Sequence, residues 1–60
     1  MVIKLTLWGS ETYLYVLINQ IATFRRLESS RPTILRYSSG DYDAISETPE
    51  EINRKIFLAM

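Results

Sequence analysis

The chain contains neither cysteine nor histidine, and this absence limits how it can be stabilised. Disulfides are excluded, and so are the usual nitrogen and sulfur ligands of a structural zinc ion. A domain of this size buries only about 60% of the surface that its unfolded chain exposes, so it is marginal alone. Stability must therefore come from a well-packed core or from association with another chain. We expect no cofactor and no bound metal.

Short runs of β-branched and aromatic residues predict strands at 2–8, 12–17, 20–27, 33–38 and 41–46. Gly9-Ser10 and Ser38-Ser39-Gly40-Asp41 are predicted to be hairpin turns, because glycine adopts a positive φ without strain. The pattern favours one α+β domain over 1–60. It would be a small antiparallel sheet of four to five strands, arranged as a meander, with one C-terminal helix packed on it.

The middle of the chain, residues 12–24, is the segment whose secondary structure the sequence leaves open. The run 13–18 is apolar on both faces, and a strand is favoured there because a glycine turn precedes it. A helix over 13–24 remains an alternative, because it would align five apolar residues on one face. These are Leu14, Leu17, Ile18, Ile21 and Phe24.

The third predicted strand, 20–27, alternates between two sets of side chains. We expect one face to carry Ala22, Phe24 and Arg26, and the other to carry Ile21, Thr23 and Arg25.

The clearest local signal is the start of a helix at Thr48-Pro49-Glu50-Glu51. Thr48 and Glu51, three residues apart, have the spacing of a capping box, and proline is favoured at the first helical position. The two glutamates also suit the positive end of the helix dipole. We predict a helix over 49–59 whose apolar stripe lies on the sheet. That stripe comprises Ile52, Ile56, Ala59 and Met60.

Residues that carry chemistry are few, and we predict that the protein is not an enzyme. No Ser–His or Cys–His pair is available as a nucleophile. Asp41 and Asp43 are two apart, but one carboxylate pair supplies too few oxygen ligands for a calcium site. They are interpreted as solvated turn and edge residues, and Glu50 and Glu51 as capping charges.

A strand that is apolar on both faces needs cover on both, and one short helix covers only one face of a sheet. A partner subunit would supply the second cover, either by face-to-face packing of sheets or by edge pairing. We therefore predict a small interaction or regulatory protein that forms a homo-oligomer or binds a protein partner that the sequence does not identify. The candidate interface residues are Trp8, Tyr13, Tyr15 and Leu17.

The alternative is a small nucleic-acid-binding regulator, of RNA or DNA, with arginines beside aromatic side chains. The candidate contacts are Arg25, Arg26, Arg31 and Arg36. The formal net charge of zero opposes this reading, because a basic excess usually supplies most of the affinity. The charge is uneven, however: residues 1–39 carry +3 and residues 40–60 carry −3.

No signal peptide is apparent at the first residues, and the longest apolar stretch, 13–18, is too short to span a bilayer. We expect no membrane insertion and a cytoplasmic location, with which the absence of cysteine agrees.

Several stretches together resemble a known family. They are Ile3-Lys4-Leu5-Thr6, the Gly9 turn, a tyrosine-rich second strand, Thr33-Ile34-Leu35-Arg36-Tyr37-Ser38-Ser39-Gly40 and Glu47-Thr48-Pro49-Glu50-Glu51-Ile52. In this order they resemble the small FlbD/SwrD proteins of bacterial flagella and swarming motility. The resemblance implies a bacterial protein with a link to flagellar motility, and the alternative is a diverged or phage-borne relative with another role. It implies no catalytic residues.

A second, weaker likeness is to the carbon-storage regulator proteins, which are small, strand-rich dimers that bind RNA. It rests on Glu50-Glu51-Ile52 near the start of the final helix. This likeness also implies the RNA alternative.

Overall fold

The computed structural model describes all 60 residues as five strands, one turn of 3₁₀ helix and one α-helix. In chain order these are β1 (Val2–Thr6), β2 (Tyr13–Leu17), the 3₁₀ turn (Ile18–Gln20), β3 (Ile21–Arg25), β4 (Thr33–Tyr37), β5 (Tyr42–Ile45) and α1 (Pro49–Ala59). The predicted α+β class is confirmed, with the helix packed on β1. The five strands are divided between two sheets, each antiparallel.

The backbones of the two sheets are joined near the end of β1. β1 pairs with β2 to form one hairpin, and β3, β4 and β5 form a meander. An isolated bridge joins Leu7 to Ile45, flanked by two backbone hydrogen bonds. The Trp8 N–H donates to the Ala44 carbonyl at 3.0 Å, and the Ser46 N–H donates to the Thr6 carbonyl at 2.9 Å. The end of β1 is thus held between β2 and β5.

The open segment 12–24 is two strands separated by the 3₁₀ turn, so the helical alternative is wrong. The expected alternation in β3 holds from Thr23 to Arg26 but is wrong at Ile21 and Ala22. Between Ile21 and Thr23 the pairing with β4 shifts register, which makes Ala22 the extra residue of a bulge. Ile21 and Phe24 consequently both pack against the core, whereas Ala22 is exposed.

The core draws on both sheets and on the helix. Ile3 and Leu5 point inward from β1 because alternate residues of a strand face the same side. All six core residues are at most 4% exposed, and they are Ile3, Leu5, Val16, Leu35, Ile45 and Ile52. Ile56 and Ala59 pack against this core as predicted. Met60 does not, since it lies just beyond the helix and is 81% exposed.

The predicted capping box at the start of α1 is confirmed. The Glu51 N–H donates to Thr48 Oγ1 at 3.1 Å, and the Thr48 N–H donates to Glu51 Oε1 at 2.9 Å. Two N–H groups that the first turn leaves without helical partners are thereby satisfied. The hydrogen bonds of the Glu51 carboxyl with the backbone and then with the side chain of Thr48 hold its pKa below the usual value.

Glu47, immediately before the cap, ties three elements together. Its carboxylate accepts the Thr6 N–H at 2.9 Å and the Thr6 hydroxyl at 3.1 Å. Its own carbonyl accepts the hydroxyl of Thr33, a fully buried residue, at 2.6 Å. The Glu47 side chain therefore accepts a hydrogen bond from the Thr6 N–H of β1. It does so where β5 has ended and its backbone no longer supplies an acceptor.

We predict that Glu47→Ala lowers the free energy of unfolding by about 2 kcal/mol, because Thr6 loses two charge-assisted hydrogen bonds. Urea unfolding followed by circular dichroism measures the change. Glu11→Ala is the matched control: Glu11 is exposed, so removing the same charge there should change stability by less than about 0.5 kcal/mol. Equal destabilisation by both variants would contradict the role assigned to Glu47.

The capping box also predicts a pH dependence. The folded-state pKa of Glu51 is lower than its ordinary value of 4.5, so its contribution is present above that pH and is lost as the pH falls through the folded pKa. Glu51→Gln should therefore flatten the acid side of the stability profile. Glu50→Gln, which removes a neighbouring carboxylate without breaking the box, separates this effect from a general loss of charge. A Glu51→Gln profile as steep as that of the native chain would argue against the box.

Candidate functional site

The outer face of the β1–β2 hairpin collects the predicted interface residues. Val2 lies opposite Leu17, Lys4 opposite Tyr15 and Thr6 opposite Tyr13. Trp8 continues the same alternation just past β1. We call the exposed apolar set Val2, Trp8, Tyr13, Tyr15 and Leu17 the hairpin face. Its members are between 45% and 70% exposed.

The hairpin face is almost free of charge. Lys4 is the one charged side chain that the two strands place on this side, and its Nζ lies 4.0 Å from the centre of the Tyr13 ring. The ammonium group therefore covers an aromatic face instead of standing free above the sheet. What remains is an apolar and aromatic surface.

β2 is also an open edge. Thr12 and Ile18 direct their backbone groups toward β1, as shown by the bonds from the Leu7 N–H to the Thr12 carbonyl and from the Ile18 N–H to the Met1 carbonyl. Because antiparallel pairing alternates, the odd-numbered residues Tyr13, Tyr15 and Leu17 direct their N–H and C=O groups away from β1. No strand pairs on that side. β2 contains neither proline nor a charged residue, the usual protections of an edge.

A second surface is a groove of about 440 Å³ on the outer side of the three-stranded sheet. We call it the arginine groove, and it is lined by Thr23, Arg25, Leu27, Arg31, Pro32, Ile34, Arg36 and Tyr42. Three of the four predicted contact arginines therefore share one site, and no carboxylate lines it. Their elements are β3, the β3–β4 loop and β4.

The three arginines of the groove make only weak internal bonds. Arg36 donates one long hydrogen bond, 3.4 Å, to the Gly40 carbonyl, and its guanidinium carbon lies 5.6 Å from the centre of the Tyr42 ring. Arg31 approaches Glu28 at 3.9 Å, but both side chains are about two-thirds exposed, so this pair contributes little. Most of their N–H donors remain available to a ligand.

Arg26 does not join the groove. Its Nη2 donates to the Ser46 carbonyl at 2.9 Å, and its Nε is buried without a partner. The reason is the two-residue repeat of an extended chain, which turns Arg25 and Arg26 to opposite sides. The alternation predicted from the sequence already places these two arginines on opposite faces of β3, and Arg26 is the one predicted contact that lies outside the groove.

The carboxylates predicted to be solvated turn and edge residues have different surroundings. Asp43 accepts the Tyr37 hydroxyl at 2.6 Å, whereas Asp41 lies within 3.3 Å of the Ser39 hydroxyl. Burial, helped by the bond to Asp43, raises the pKa of the Tyr37 hydroxyl well above its usual value. No three acidic side chains come together in a way that could hold a metal ion.

No family model, curated protein or solved structure matches the chain. The resemblance to the FlbD/SwrD proteins accordingly stays a prediction. No helix has the length and apolar character needed to cross a membrane. The two exposed surfaces, the hairpin face and the arginine groove, are the features from which a function can be inferred.

The different positions of the arginines give a direct test. Arg26→Gln should lower the free energy of unfolding by about 1 kcal/mol, because the Ser46 carbonyl loses its donor. Arg25→Gln removes the same charge from the exposed side and should change stability by less than about 0.5 kcal/mol. Urea melts of the two variants make the comparison. If Arg26→Gln proves as stable as Arg25→Gln, Arg26 is not the structural arginine described above.

Proposed function

We propose that this protein is a non-enzymatic interaction module that self-associates, two copies pairing through β2. One observation carries the proposal: the open backbone edge of β2 and the exposed aromatic hairpin face share three residues, Tyr13, Tyr15 and Leu17. An edge strand offers a row of unsatisfied donors and acceptors, and an identical strand is a suitable partner for it. The apolar side chains on the same strand would then contact those of the second copy as cross-strand neighbours.

The large number of exposed apolar residues supports a second copy of the chain as the partner of β2. Eleven large apolar side chains are exposed, whereas the core contains six. A standard interface removes about 800 Å² from each partner. That is less than a fifth of the 4361 Å² of surface that this chain exposes. Pairing would therefore remove part of this apolar surface from water, in a domain that has neither disulfides nor zinc to stabilise it.

The geometry of β2 suits a two-fold axis. In an antiparallel pair of β2 strands centred on Tyr15, Tyr13 of each copy lies opposite Leu17 of the other. The odd-numbered residues, whose backbone groups point to the open edge, would then form the hydrogen-bonded pairs. The interface is isologous: the same patch serves both copies, as in the commonest class of dimer.

Electrostatics do not oppose the pairing. β2 itself is uncharged, and Lys4 lies one strand back, opposite Tyr15. In the paired sheet the two Lys4 residues are three strand spacings apart, roughly 14 Å. That distance exceeds the Debye length of about 10 Å at 0.1 M salt, so their repulsion is screened.

On the resemblance to the FlbD/SwrD proteins, we also propose that the assembly serves flagellar or swarming motility. A role exercised through contacts agrees with that setting, since the resemblance implies no catalytic residues. Deleting the gene in its bacterial host and measuring swarm expansion tests this part separately from self-association. Unchanged swarming would remove the motility link and leave the pairing through β2 untouched.

Size-exclusion chromatography with light scattering tests self-association. At high micromolar concentration we expect about twice the 7.0 kDa mass of one chain. Tyr15→Asp should give a monomer, because two like charges would face each other at the two-fold axis. Tyr15→Thr, which keeps a residue suited to strands, should weaken the dimer without introducing charge.

The matched control is Phe57→Asp on α1. Phe57 is 76% exposed and Tyr15 is 70% exposed, so both variants replace an exposed aromatic residue with a charge. The Phe57 variant should remain a dimer, and circular dichroism should show that each variant is folded. A native chain that stays monomeric, or a Phe57 variant that becomes monomeric while the Tyr15 variants do not, would overturn pairing through β2.

A further inference from the structure

The arginine groove holds positive charge that the fold does not neutralise. Arg25 lies opposite Ile34, and Thr23 lies opposite Arg36. Arg25 and Arg36 are thus diagonal neighbours on one face, a relationship that brings Cα atoms to roughly 7–8 Å. Arg31 adds a third cation from the loop, and none of the eight lining residues is acidic. Like charges gathered in this way are stabilised by a bound anion.

The other residues that line the groove indicate which chemical groups the ligand carries besides its negative charge. Leu27, Pro32 and Ile34 supply an apolar surface within the groove. Tyr42 is 61% exposed, and the guanidinium of Arg36 lies over its ring, which leaves ring surface for a second planar group. A ligand that fits is anionic and carries flat, apolar rings. The volume of about 440 Å³ is within the range of roughly 300–1,000 Å³ typical of ligand sites.

We propose that the arginine groove binds single-stranded nucleic acid, with backbone phosphates at Arg25, Arg31 and Arg36 and a base stacked on Tyr42. Arginines that follow the backbone beside an aromatic stacking platform are the elements by which proteins hold single strands. A duplex does not fit this arrangement, because its bases are already stacked and paired. The site is on a different sheet from the hairpin face, so it does not depend on self-association.

The neutral net charge of the chain does not oppose this assignment. Salt screens charges beyond about 10 Å at 0.1 M, so a bound phosphate responds to the groove more than to the whole chain. Three phosphate contacts to a single strand predict a slope of about −2 for log affinity against log salt. Affinity should therefore fall roughly 20-fold between about 50 mM and about 200 mM salt. The contact is a modest one, specific for strandedness and not for sequence.

Fluorescence anisotropy with labelled oligouridine and oligothymidine of about 12 nucleotides tests the proposal. We expect binding at about 50 mM salt, the salt slope given above, and a several-fold loss of affinity in Arg25→Gln and in Arg36→Gln. Arg54→Gln, which removes an exposed charge from α1, is the matched control and should bind as the native chain does. Tyr15→Asp should also bind, since the groove is separate from the hairpin face.

Tyr42 separates a nucleic-acid site from a general anion site. Tyr42→Ala should reduce affinity by about tenfold, whereas Tyr42→Phe should retain it, because stacking needs the ring and not the hydroxyl. Duplex DNA of the same length and inorganic polyphosphate should compete poorly. Absent binding at about 50 mM salt, equal losses in Arg54→Gln and Arg36→Gln, or full competition by polyphosphate would each overturn the assignment.

Discussion

The arrangement of the two sheets and the helix depends on the hydrogen bonds that Glu47 accepts. β5 ends at Ile45 and the helix begins at Pro49, so only a few residues remain to connect a sheet edge to a helix. At this position β5 has already ended, so the Thr6 N–H of β1 has no backbone acceptor from that strand. The Glu47 side chain accepts this N–H, while its carbonyl accepts the Thr33 hydroxyl from β4. One residue therefore fixes β1, β4 and the start of α1 relative to one another.

The consequence of this compact junction is that the inner sides of both sheets are used for a single core, and both outer sides remain open. With six buried apolar residues the core is small, as expected for a chain of this length without disulfide or zinc. The outer side of the hairpin is aromatic and nearly uncharged. The outer side of the meander is cationic. The two sheets thus offer two chemically different surfaces, and each suits a different class of partner.

The features that the sequence predicts well are those encoded within a few residues. The alternation of Ile3 and Leu5 and the spacing of Thr48 and Glu51 are local, and both appear in the structure as the sequence indicates. The bulge at Ala22 and the bond between Glu47 and Thr6 are not local, since they depend on the register of β3 against β4 and on a contact 41 residues apart. A single sequence contains strand propensities but no record of which strands pair or where the register shifts. For the same reason the sequence indicates the arginines of the groove as candidate contacts, but not the pairing of β3 with β4 that brings them together.

The net charge of zero conceals an asymmetry between the acidic and the basic residues. Most of the carboxylates in residues 40–60 accept hydrogen bonds within the chain: Asp43 from Tyr37, Glu47 from Thr6 and Glu51 from Thr48. These carboxylates keep their charge, but none of them lines the groove, and salt screens charges beyond about 10 Å at 0.1 M. Among the arginines, only Arg26 is engaged in a comparably short bond, whereas the three in the groove keep most of their donors free. The numbers of opposite charges are therefore equal, but most of these acidic residues stabilise the fold and the basic residues of the groove remain available to a ligand. A charge count alone cannot distinguish this arrangement from a neutral surface.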